Sequence, residues 1–126
     1  MNLEDLEIYK LAIDVSDDAW RVYKILSWPD KKIMGDQFVS AVDSIGASIA
    51  EGFGRFHYLD KNKFNYNARG SLLESLHWLE VLSKRGKIKE EIKESLKSKL
   101  YSLHRKLNGY INITKKQVEV GVKTTR

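Results

Sequence analysis

Residues 36–55 read DQFVSAVDSIGASIAEGFGR, and the spacing of their apolar side chains is that of a helix. Phe38, Val42, Ile45, Ile49 and Gly52 recur at intervals of three and four, which sets them on one helical face. Beside them Ala41, Ser44, Ser48 and Gly52 form a flank with almost no bulk, so a neighbouring helix can approach closely. Serine hydroxyls on such a flank can bond back to helix carbonyls. Gly35-Asp36 offers an N-terminal cap after a short turn through Lys31–Met34, and this helix is expected to be the most buried of its domain.

Three more periodic stretches surround it. From about Leu3 to Ser27, the residues Ile8, Leu11, Val15, Ala19, Val22 and Leu26 share a face, and Trp28-Pro29-Asp30 is read as the stop, because the residue before a proline leaves the α region. After a break at Phe56–Leu59, with Asp60 as cap, a third helix carries Phe64, Ala68, Leu72, Leu76 and Leu79 and closes at Arg85-Gly86. A fourth, from about Ile88 to Ile113, carries Ile92, Leu96, Leu100, Leu103, Leu107 and Tyr110, with Asn108-Gly109 as a soft spot. Long helices with short connections pack antiparallel, so the expected fold is all-α, an up-down-up-down four-helix bundle over 1–113, followed by a short, basic, disordered tail over 114–126.

Composition supports one such domain. The chain has 126 residues, 42% hydrophobic and 31% charged, with one Pro and no Cys. The balance excludes a disordered or collagen-like chain, and the absence of cysteine excludes a disulfide scaffold and any thiolate site. Apolar runs are only a few residues long, so no membrane span is expected. The acidic N-terminus lacks the pattern of a signal peptide, and a cytoplasmic location is expected.

The net charge of +5 conceals an asymmetry: residues 1–60 hold 6 Lys/Arg against 11 Asp/Glu, residues 61–126 hold 16 against 6. The basic half can face nucleic acid, dock on the acidic half, or attract another subunit. Its candidate phosphate-binding cations are Lys84, Arg85, Lys87, Lys89, Lys93, Lys97, Arg105 and Lys106, continuing to Lys115 and Lys116; Glu90, Glu91 and Glu94 interrupt the series. Tyr101 and Tyr110 are candidate stacking platforms for a single strand, and both also suit the bundle's core or edge.

Apolar residues also lie off the core stripes. Tyr9, Ile13, Trp20 and Tyr23 on the first helix, and Trp78 with Leu73 and Val81 on the third, form a candidate oligomer interface.

Catalytic chemistry finds little support. Glu74-Ser-Leu-His77 has the spacing of a di-iron ligand pair, but such a site needs two copies, and His104 and His57 follow Tyr101 and Gly54 at that offset. Glu74 and His77 also point away from the Leu72/Leu76/Leu79 face. Gly52-Phe-Gly54 lacks the third glycine and preceding strand of a dinucleotide loop, and neither a phosphate-binding loop nor a nucleophile elbow is present. No enzyme activity, metal or cofactor is expected. Glu51 and Arg55, four apart, are expected to pair, partly buried, and to fix how the second helix meets its neighbour.

The run Ser44–Arg55, with its Ile-Ala-Glu-Gly-Phe-Gly-Arg core, followed by Ala68-Arg-Gly-Ser-Leu-Leu-Glu-Ser-Leu76, resembles the four-helix-bundle family of proteins encoded in intervening sequences of bacterial 23S ribosomal RNA genes. Ile49, Ala50, Glu51, Gly52 and Arg55 match the first part of its signature and Gly70, Ser71, Leu72 and Glu74 the second; Trp28-Pro29 and Gln37 match as well. Where the family often has two basic residues and an asparagine, this chain has Val39, Ser40 and Ser48. The resemblance implies a ring-shaped homo-oligomer, typically a pentamer, without known catalysis. A related branch, the accessory proteins of diversity-generating retroelements, binds nucleic acid and a reverse transcriptase through a basic surface. The functional expectation is a non-catalytic, homo-oligomeric accessory protein that binds RNA or DNA. The alternative is an interaction scaffold for another protein, without nucleic-acid binding.

Overall fold

The computed structural model describes residues 1–125, with side chains through Gln117. A single 3-10 turn at Leu3–Asp5 leads into α1 (Glu7–Ile25). The second helix, α2, starts with an α turn at Trp28–Asp30, passes through a π-helical segment at Lys31–Gly35 and continues as α-helix over Asp36–Phe53. Helices α3 (Tyr58–Lys84) and α4 (Glu90–Thr125) complete the chain. Each helix packs against its neighbours in sequence and α4 returns to α1, so α1 lies diagonal to α3 and α2 to α4. This is the antiparallel four-helix bundle the spacing predicts, with no strand among the described residues.

One core runs its length. It is built from Ile8, Ala12, Val15, Ala19 and Val22 of α1, Phe38, Val42, Ile45 and Ile49 of α2, Ala68, Leu72, Leu79 and Leu82 of α3, and Leu96, Leu100, Leu103, Leu107 and Ile111 of α4. Burying such side chains contributes about 1.5–3 kcal/mol each against leaving them exposed. The bulk-free flank of α2 lies against α3: a Cβ on Gly52 would stand 3.1 Å from both the Lys61 carbonyl oxygen and the Phe64 Cβ. The Ser44 hydroxyl bonds back to the Ser40 carbonyl at 2.8 Å, as a serine inside a helix can.

The ends of the helices differ from the sequence reading in five places. The first helix divides, because Leu6 is extended between the 3-10 turn and α1. Pro29 does not stop α1, which has already ended at Ile25; it opens α2, where a missing N–H costs nothing and Ser27 accepts from the Asp30 amide at 3.3 Å. Lys31–Met34 is consequently no turn and Gly35 no cap, since helical backbone runs straight through both. Helix α3 begins at Tyr58 after His57, so Asp60 sits within the first turn, where its charge meets the helix dipole.

At its other end α3 closes as expected. Gly86 takes φ +69°, and the Lys87 amide reaches back to the Leu82 carbonyl at 2.9 Å. Finally, α4 passes the expected boundary at Ile113: Thr114 is buried, its hydroxyl donating to the Tyr110 carbonyl at 2.9 Å. From residue 118 on, the expected disordered tail lies outside the residues whose side chains are described.

The polar core of α3 is absent from its apolar pattern. Asn62, Asn65 and Ser75 are buried there. Asn65 Nδ2 donates to Asn62 Oδ1 at 2.9 Å, and Asn62 Nδ2 donates to the Ile111 carbonyl of α4 at 3.1 Å. Ser75 donates to the Ser71 carbonyl. Among the described residues every buried side-chain polar atom has a partner.

Candidate nucleic-acid interface

The eight candidate cations divide by what they touch. Lys87 reaches Asp30 at 3.1 Å, Lys93 reaches Glu80 at 3.5 Å, and Lys106 reaches Glu7 at 2.9 Å. Lys99, which the sequence reading passed over, bridges Asp18 at 2.7 Å and Asp14 at 3.0 Å. Lys87, Lys99 and Lys106 thus join the basic half of the chain to its acidic half, so part of the asymmetry is internal docking. These carboxylates hold the Lys99 ammonium above the usual lysine range, with the hydrogen bond to Asp18 the largest cause. Lys87 likewise holds the Asp30 carboxyl below the usual carboxylate range.

Lys84, Arg85, Lys89, Lys97 and Arg105 remain. Among the described residues no carboxylate comes within ion-pairing distance of any of them. Lys84, Arg85 and Lys89 cluster where α3 turns into α4, and Lys97 and Arg105 continue down α4. Lys97 and Tyr101 line a cleft of about 310 Å³ between α3 and α4, with Leu73, Leu76, Leu79 and His77 of α3 and with the paired Lys93 and Glu80. A larger apolar cleft, about 390 Å³ between α1 and α4, has Arg21 and Lys99 on its rim, but Asp18 holds both at 2.7 Å. The candidate cations without a carboxylate partner among the described residues lie on α3, on α4 and in the turn between them.

The candidate interface residues are spread over two exposures. Ile13 and Trp20 are exposed, Trp20 at 51%. Trp20 stacks on Tyr23 with ring centroids 5.2 Å apart and planes 10° apart. Tyr23 is half-buried, its hydroxyl donating to Asp36 of α2 at 2.9 Å; that bond pushes its own ionisation upward. Gly35 admits the ring, since a Cβ there would meet Tyr23 at 2.9 Å. Tyr9 and Trp78 pack partly on the core.

Of the signature residues, Gly52 is a packing position. Glu51 is exposed, and Arg55 lies beyond the end of α2, its guanidinium 4.7 Å from the Phe64 ring centroid. The expected partly buried Glu51–Arg55 pair is therefore absent: Gly54 ends the helix before Arg55 can face Glu51. Gly70 is exposed with nothing within 4 Å of a would-be Cβ, Ser71 lends its carbonyl to Ser75, and Glu74 faces solvent. His77 shares the surface with Glu74, its ring 5.1 Å edge-on from Trp78. Among the described residues no group of three or more His, Asp or Glu is placed to hold a metal ion. No helix among them is long and apolar enough to cross a membrane.

An all-α, up-and-down bundle of four helices around one apolar core defines the class. Residues 4–109 match the family model described as 23S rRNA-intervening sequence protein, and the chain belongs to that family. It is similar in fold to a crystal structure from Bacteroides thetaiotaomicron, a protein of unknown function from the S23 ribosomal protein family. The TM-score is 0.77 at 24% identity, over 82% of this chain and 97% of that one. No curated protein matches the chain.

Proposed function

We propose that this protein is a non-catalytic, homo-oligomeric accessory protein that binds RNA or DNA through the basic surface of α3 and α4. The observation that carries the reading is the division of the cations. Lys87, Lys99 and Lys106 are committed to carboxylates of the acidic half, whereas among the described residues Lys84, Arg85, Lys89, Lys97 and Arg105 meet no carboxylate, and all but the half-buried Lys97 are exposed. Phosphates need only cations in roughly the right place, so binding is largely independent of sequence and driven by counterion release. Self-association presents the patch several times to one strand and multiplies a weak contact. The exposed Ile13 and Trp20 support that assembly, and the family resemblance favours a pentamer.

A second reading is a protein-interaction scaffold in which the same cations meet acidic residues of another subunit or another protein. It is favoured by the exposed carboxylates Asp17, Asp43 and Glu51 on the acidic half. Fluorescence anisotropy with a labelled RNA across a salt series separates the two. Nucleic-acid binding gives an affinity that falls steeply with salt, and Lys97→Glu with Arg105→Glu lowers it and flattens the slope. Absence of binding at low salt leaves the scaffold.

A further inference from the structure

The groove between α3 and α4 carries more than charge. Two tyrosines stand open along it, Tyr101 on α4 at 43% exposure and Tyr66 on α3 at 38%. Neither hydroxyl has a hydrogen-bond partner among the described residues, so nothing in the protomer fixes these rings by their polar ends. A cation accompanies each. Lys97 shares the cleft with Tyr101. Arg69 lies 5.1 Å from the centroid of the Tyr66 ring, with Lys115 at 5.8 Å from the same ring. Arg69 is anchored by donating to Asn108 across the groove at 3.0 Å, which sets Tyr66 about one turn farther along α4. At 1.5 Å rise per residue the two tyrosines are then roughly 15 Å apart along the groove. Between their levels on α3 lie Gly70, where a side chain would meet nothing within 4 Å, and Leu73, exposed at 51% and lining the same cleft as Tyr101.

Aromatic faces alternating with cations along a groove suit unpaired bases. In a duplex the bases are stacked on one another and only the backbone is offered, whereas a single strand presents π-faces to rings and phosphates to cations. Tyr110, the other tyrosine of α4, packs on the core, and burial pushes its ionisation upward; it is no platform. We infer that the α3–α4 groove is a single-strand site, in which Tyr101 and Tyr66 stack bases a few nucleotides apart while Arg69 holds the backbone between them and Lys97 the backbone beyond Tyr101. This rests on the nucleic-acid reading above and narrows its ligand to unpaired RNA or DNA.

The test compares a labelled single-stranded oligonucleotide with a duplex of the same length, by anisotropy at fixed low salt. Wild type is expected to bind the single strand more tightly. Tyr101→Ala and Tyr66→Ala should each lower single-strand affinity roughly tenfold and leave duplex binding unchanged, while Tyr101→Phe and Tyr66→Phe retain wild-type affinity. Both positions are exposed, so the variants keep their fold, which circular dichroism verifies. Equal binding of both probes, with the alanine variants indistinguishable from wild type, overturns the single-strand site and leaves the basic-surface reading intact. Binding to neither probe overturns that reading, and this inference with it.

Discussion

Gly52 on α2 and Phe64 on α3 meet so closely that a methyl group on the glycine would stand 3.1 Å from the phenylalanine Cβ. The same methyl would stand 3.1 Å from the Lys61 carbonyl, which is backbone and cannot swing aside. Gly52→Leu should therefore destabilise the bundle by about 1–3 kcal/mol through overpacking. Gly70 is the contrasting case, since it is helical, exposed and faces open space. Gly70→Ala should stabilise by roughly 0.5–1 kcal/mol through helix propensity alone. Urea denaturation of both variants checks the pair, and a common sign would contradict it.

Asn62 and Asn65 form a buried chain that ends on the Ile111 carbonyl. Asn62→Ala leaves the Asn65 amide without its acceptor inside the core, at about 1–3 kcal/mol. The double variant Asn62→Ala/Asn65→Ala should lose clearly less than the sum of the singles, because the second change removes the group that the first orphaned. A double-mutant cycle by denaturation measures the coupling; strict additivity would refute the shared network.

Lys99 supplies a pH dependence on the alkaline side. Its folded pKa is raised by Asp18 and Asp14, so its contribution is complete below the unfolded lysine value and disappears as pH rises through the folded one. Lys99→Gln should lower the melting temperature at neutral pH, and the gap from wild type should close at strongly alkaline pH. With the ammonium more than a third exposed, the neutral effect should be modest, about 0.5–1 kcal/mol. Asp30 gives the opposite window: its folded pKa is lowered, so its contribution stands above the unfolded carboxyl value and is lost as pH falls through the folded one.

Trp20 tests assembly. Trp20→Glu puts a charge on an exposed aromatic of α1 without entering the core, so the monomer should keep its helicity while the associated mass falls. Light scattering at micromolar concentration reads the change; a wild-type mass near 14.6 kDa would already contradict self-association.

The faces of α1, α2 and α4 were legible because apolar residues mark them at helical spacing, and nearly all of those residues are buried. On α3 the pattern was partial, since Asn62, Asn65 and Ser75 occupy core positions that polar side chains disguise as surface. Pro29 misled for a physical reason: a proline ends one helix and begins another by the same loss of an N–H, and only Ser27 accepting from Asp30 tells which. In the candidate site, the cations were readable but their commitments were not. Lys87, Lys93, Lys99 and Lys106 find carboxylates that packing alone brings near. Tyr66 is not marked in the sequence, because Lys115, one of the two cations at its ring, comes from α4 and only packing brings it there.

The π-helical segment at Lys31–Gly35, with the Asp36 amide bonded to the Lys31 carbonyl, holds one residue more than an α turn would. Everything before it in α2 is therefore out of phase with everything after. Removing one residue there would let the helix wind at ordinary pitch and rotate Trp28–Asp30 by about 100° against the core. Asp30 would swing out of reach of Lys87, and the chain leaving α1 would arrive at the wrong azimuth. The first turn of α2 is thus intolerant of single-residue length changes that an ordinary connecting loop would absorb.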